Sequence, residues 1–201
     1  MRVIARDGVH EIEIQRSRFL CSVGRVGDEA QAAAFIADVR REHWSANHNC
    51  TAFRVEGTQR SSDDGEPAGT AGVPMLEVLV RRDLIDTVAV VTRYFGGVKL
   101  GAGGLVRAYG RAVSEAVDAI GTVGRARFAT FEIAVDHADA GRLENALHAV
   151  GHRVAGVAYD RRATITVHVP EAETTPFHDW LASQTAGTAT AEPGPPIDLD
   201  V

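Results

Sequence analysis

The chain has 201 residues, 45% of them hydrophobic, which is enough apolar side chain for one or two compact cores. Its formal net charge of −6 at pH 7 argues against a generally basic protein that coats nucleic acid. The start, MRVIARDGVHEI, alternates polar and apolar residues where a signal peptide has a continuous apolar run, and no later run approaches bilayer length, so the chain reads as cytoplasmic with no membrane contact.

Taken in chain order, VHEIEI and RFLCSV alternate as two strands of a hairpin linked by QRS. Asp28 then stands where an N-cap belongs, ahead of a helix in which Ala32, Phe35, Ile36 and Val39 recur at helical spacing. TAFRVEG alternates again, and RSSDDGEPAGTAG reads as a long loop from its Asp, Gly, Ser and Pro density, with Thr70 placed to cap the helix VPMLEVLVRR. DTVAVVT is a continuous β-branched run, the pattern of a strand covered on both faces. After it, Leu105, Val106, Tyr109, Val113, Ala116, Val117 and Ile120 mark a long helix with Gly103 and Gly104 at its N-terminus and Gly121 as its stop.

The remainder reads as a strand over 127–135, a helix ending at Gly151, a hairpin turning at Asp160 and Arg161 and closed by Pro170, a short helix with Phe177, Trp180 and Leu181, and a last strand over 187–192. This β-α-β-β-α-β order is the ferredoxin-like arrangement, and EPGPPIDLDV behind it reads as a loosely ordered tail. The division falls between domains 1–124 and 125–201. The first holds 15 basic and 16 acidic residues and the second 6 and 11, so any anion-binding surface belongs to the first. Cys21 and Cys50 lack CxxC spacing and read as buried free thiols.

Two stretches carry candidate chemistry. Residues 92–111, TRYFGGVKLGAGGLVRAYGR, lack any acidic residue and hold the only lysine of a chain with 20 arginines. A glycine-rich turn from strand into helix presents backbone N–H groups and the positive end of the helix dipole to a phosphate, with Arg93, Lys99, Gly101, Gly103, Gly104 and Arg107 as its candidate residues and Arg111 behind them. Neither nucleotide fingerprint is met: GAGGLV has valine at the third glycine of GxGxxG, and Lys99 precedes the glycine run that the Walker lysine should end. A purely structural turn with solvated arginines fits the same residues.

The second stretch, SSDDGEP, places Ser62, Asp63, Asp64 and Glu66 in one loop, a pattern that suits Mg²⁺ or a general base, a solvated acidic turn, or a counter-charge ordering the basic segment. His43, His48 and Cys50 lack a fourth zinc ligand at recognised spacing, and Ser61, Ser62 and Thr70 lack a nucleophile elbow, so no metal and no hydrolase triad is assigned.

SRF at 17–19, EH at 42–43, HNC at 48–50, SDDGEPAGTAG at 62–72 and TRYFGGVKLGAGGLVRAY at 92–109 together resemble the YigZ/IMPACT family across residues 1–121. The resemblance implies an α+β protein. Its N-terminal α/β sandwich would be of the ribosomal-protein type shared with domain IV of elongation factor G, and its ferredoxin-like second domain similar to domain V of that factor. It further implies RNA, the ribosome or a translation factor as partner and regulation of translation as role, with no cofactor and no reaction attached to the bacterial members. The partner-binding domain of the eukaryotic relatives is missing from this chain. A small phosphate-bearing ligand stays open, because the N-terminal fold also serves kinases of small molecules. In that alternative Asp63, Asp64 and Glu66 would hold Mg²⁺ beside Lys99, with His48 near the same loop.

Overall fold

The computed structural model describes residues 1–201, which separate into two compact units, Met1–Gly124 and Arg125–Val201.

The first unit is built on one antiparallel sheet. Its strands are β2 (Gly8–Ile14), β3 (Ser17–Arg25), β4 (His48–Val55), β5 (Thr58–Ser62) and β6 (Thr87–Tyr94), in the order β2-β3-β6-β4-β5, with the short strand β1 (Arg2–Ile4) outside it. Gln15 and Arg16 make the two-residue turn between β2 and β3 with φ of 47° and 66°, the left-handed conformation that matches the twist of a tight hairpin. Helix α1 (Glu29–Glu42) covers one face of the sheet, and α2 (Gly72–Arg81) and α3 (Gly101–Ile120) cover the other.

This double cover explains the uninterrupted apolar run of β6. Val88 and Val90 join the cluster under α1, whereas Ala89 and Val91 join the larger core under α2 and α3. By the same alternation Arg93 falls on the α2/α3 face, at the end of the strand. Asp28 caps α1 as its position requires, accepting the Gln31 N–H at 2.7 Å, and Gly121 stops α3 at φ 87°.

The segment read as one long loop is shorter than expected, because Thr58–Ser62 forms β5 against β4. TQRSS pairs along only one side and is mostly exposed, so no apolar alternation announces it.

In the second unit β7 (Thr122–Val135), whose first residues pair with β1 within the first unit, is followed by α4 (His137–Ala149), β8 (Arg153–Tyr159), β9 (Ala163–Pro170), α5 (Thr174–Thr185), β10 (Ala191–Pro193) and β11 (Ile197–Asp200). The antiparallel order β8-β9-β7-β10 is the ferredoxin-like sheet, with Ile133, Leu143, Leu147, Ile165, Val167, Phe177 and Leu181 among its core. The tail departs from expectation. Ile197–Asp200 pairs with Arg125–Phe128 and extends the edge begun by β10, and Arg153 Nη1 donates to the Asp200 carbonyl at 2.8 Å.

Candidate functional site

The acidic loop is assembled by its own carboxylates. Asp63 Oδ1 accepts the N–H groups of Ala71 and Gly72 at 3.0 and 2.8 Å, and Oδ2 accepts that of Gly69 at 2.8 Å, so one side chain satisfies the start of α2 from eight or nine residues upstream. Thr70 does not cap this helix: its hydroxyl donates to the Pro67 carbonyl at 2.6 Å, and Ala71 is the N-cap residue. Asp64, at φ 45°, accepts from Asn49 N–H at 2.6 Å and from Arg40 at 3.1 Å, and its backbone N–H faces Ser62 Oγ at 3.3 Å.

Glu66 is buried and turned inward. Its Oε1 accepts from Arg93 Nη1 at 2.5 Å and from the Tyr109 hydroxyl at 2.8 Å, while Oε2 lies 3.8 Å from His48 Nε2. The three carboxylates are thus directed at three different sets of donors and do not converge on a metal position. His48 Nδ1 lies 2.8 Å from the Asp64 carbonyl, and Cys50 Sγ donates to the Asp63 carbonyl at 3.0 Å. Burial pushes the Cys50 thiol up to about 12 and raises that of Cys21 as well, so neither is a ready nucleophile.

Burial also acts on Asp63 and pushes its carboxyl upward, but the N–H groups of Gly69, Gly72 and Ala71 together outweigh it and hold the group below the ordinary carboxylate value. A pKa depressed by folding contributes stability that is complete above the unfolded value of about 3.9 and is lost as pH falls through the folded value. Asp63→Ala is therefore expected to cost about 2–3 kcal/mol at pH 7 in urea unfolding. The gap between variant and parent should narrow as pH falls below the unfolded value and through the folded one; a gap that stays constant across the acid range would show that the carboxylate charge is not what holds the turn.

The glycine-rich segment forms one wall of a cleft of about 400 Å³, bounded by Asn47, His48, Glu66, Arg93, Phe95, Lys99 and Gly101, with Pro67, Leu100, Ala102 and Leu105 as apolar lining. Of the residues singled out by sequence, Arg93, Lys99, Gly101, His48 and Glu66 meet here. Lys99 is exposed and pairs with no carboxylate. The first turn of α3 opens on the cleft with no side-chain cap and no acidic residue, which leaves its N–H groups and dipole uncompensated.

Arg93 is not the solvated phosphate contact that its position in the basic run indicates. It is 5% exposed, ion-paired to Glu66, and its guanidinium lies 5.4 and 5.6 Å from the ring centres of Phe19 and Phe95, with Nε lacking a hydrogen-bond partner. Arg107 is exposed but lies outside the cleft, in a groove between α2 and α3 with Pro74, Val78 and Arg81. Gly103 and Gly104 sit inside the first turn of α3, which starts at Gly101, and do not line the cleft; only Gly97 and Gly101 of the segment adopt positive φ, 87° and 70°. Phe95, Asn47 and Tyr109 were not among the expected site residues. Tyr109 reads as core from its spacing, which it is, and only the long-range pairing with Glu66 gives its hydroxyl a role.

No helix is long and apolar enough to cross a membrane. Residues 15–117 match the Impact N-terminal domain, and residues 133–188 match a domain of unknown function, DUF1949. The IMPACT family member YvyE of Bacillus subtilis is 45% identical over 190 residues, covering 93% of this chain and 88% of that protein. The IMPACT family member YigZ of Escherichia coli is 34% identical over 181 residues, covering 88% and 89% respectively. Among solved structures, one titled as the crystal structure of a hypothetical protein aligns with a TM-score of 0.62 at 32% identity, covering 94% of this chain and 95% of the other. With the SDDGEP turn and the glycine-rich segment joined through Glu66 and Arg93 in one cleft, and both domains matched along the chain, this protein belongs to the YigZ/IMPACT family.

Proposed function

We propose that the protein is a non-catalytic binder that regulates translation in the cytoplasm by engaging RNA, on the ribosome or with a translation factor, through the cleft at the start of α3. The observation that carries this reading is the coincidence of an uncapped helix N-terminus with an unpaired lysine, Lys99, on the wall of the same cleft. The translation reading follows what the family resemblance implies, an N-terminal domain of the type shared with domain IV of elongation factor G. An enzyme that uses Mg²⁺ and a phosphoryl donor has less support, because Asp63, Asp64 and Glu66 are already committed to backbone, arginine and tyrosine donors.

The acidic total predicts binding that depends on a local contact and falls with salt. Co-sedimentation with ribosomes at low and moderate salt is the test, and no association at either salt overturns the reading. Lys99→Ala should weaken binding about fivefold and reduce the slope of log K against log salt by about one, as expected for one lost phosphate contact.

A further inference from the structure

We infer that the cleft at the start of α3 receives an unpaired nucleotide, so that the RNA bound is single-stranded; this rests on the RNA reading above and narrows it. The helix terminus alone would accept any anion. The second observation is Arg93, which is 95% buried, lines the same cleft, gives one N–H to Glu66 and leaves Nε without a partner. Because Glu66 cancels the Arg93 charge, Lys99 is the only lysine or arginine of the cleft without a carboxylate, which provides for one phosphate and not for a row of them.

The rest of the cleft is apolar and aromatic. Phe95 is 46% exposed, rests on the Arg93 guanidinium, and stands with Pro67, Leu100 and Leu105 around a volume suited to one small planar group. A duplex keeps its bases stacked inside and presents phosphates and ribose, so these apolar walls would meet nothing suitable; an unpaired base offers a π-face to Phe95. A second exposed ring stands on an adjoining loop. Trp44 is 83% exposed in the 43–47 turn, which is tied to the cleft edge because Asn47 N–H donates to the Arg93 carbonyl at 3.0 Å and Asn47 Oδ1 accepts the Phe95 N–H at 2.8 Å.

The test is fluorescence anisotropy of the full chain with a labelled 12-nucleotide oligouridine and with a 12-base-pair RNA duplex in the same buffer. The single strand should bind at least about tenfold more tightly, with a salt slope of about −0.7 to −1.4, the value for one or two single-strand phosphates. Phe95→Ala, and Phe95→Leu as a variant that keeps the apolar bulk, should each weaken the single strand about tenfold and leave the duplex unchanged. Equal affinity for strand and duplex, or no effect of either Phe95 variant, overturns the single-strand inference while leaving an RNA-phosphate site intact. Uridine monophosphate displacing the oligonucleotide at equal concentration would make the site one for a small ligand and also overturn it. No binding of either RNA, in a chain that also fails to sediment with ribosomes, removes the underlying RNA reading itself.

Discussion

Glu66→Ala is expected to lower the stability of the first unit by about 3–5 kcal/mol, because it leaves the Arg93 guanidinium buried without its counter-charge. The loss should appear as faster hydrogen exchange along β6 and around Tyr109 in the middle of α3, the two elements that the Arg93–Glu66–Tyr109 chain of contacts ties together. Tyr109→Phe removes only the hydroxyl that donates to Glu66 and should cost about 1.5–3 kcal/mol, the range for a hydrogen bond to a charged group. Replacing both charges at once, as Glu66→Leu with Arg93→Met, should recover most of the stability lost in Glu66→Ala, since the pair would then be exchanged for apolar packing. A cost below about 1 kcal/mol for Glu66→Ala would mean that water reaches the pair and that Glu66 is free to serve a ligand.

Gly96→Ala should be the most damaging change in the glycine-rich segment. An added Cβ at Gly96 would lie 2.0 Å from the carbonyl carbon and oxygen of Arg16 and 2.5 Å from Ser17 N, so the turn between β2 and β3 would have to leave the end of β6. The expected cost is about 3 kcal/mol or more, at or beyond the upper end for overpacking, read from urea unfolding, with Lys99 and Phe95 displaced in consequence. Gly103→Ala is the matched control. Its added Cβ would meet only Arg107 Nη1 at 3.6 Å, and its φ is not positive, so alanine should be neutral or stabilise α3 by up to about 1 kcal/mol. If the two substitutions behaved alike, the close approach of the chain at Gly96 would not be what requires glycine there.

The contrast between these two glycines also marks the limit of the sequence. Strands and helices that bury one periodic face were legible: β2 and β3, α1 with its Asp28 cap, the doubly covered β6 and the long α3 all follow from spacing. What spacing does not carry is pairing at a distance. Arg93 belongs by composition to a basic run, yet its partner is Glu66, 27 residues earlier in the chain. Asp63 reads as part of an acidic turn, yet it caps a helix that begins nine residues later, so the nearer Thr70 took the cap in a local reading. Arg107 is six residues past the helix start at Gly101, in a stretch that looks continuous, but the turn of α3 carries it to a different groove. The YigZ/IMPACT motifs identified which residues belong together without revealing which bonds join them.

The polar composition that hid β5 has a colloidal consequence. β5 is the last strand of its sheet and pairs only with β4, so one row of its backbone N–H and C=O groups is open to any other extended chain. TQRSS is mostly exposed, and Arg60 extends to Glu29 of α1 at 2.8 Å, so a cation stands beside the strand and little apolar surface rewards a newcomer. Changing Gln59, Arg60 and Ser61 to valine would give the segment the alternation-free apolar run that sequence reading recognises as a strand, and would at the same time create a sticky margin prone to fibre-like growth.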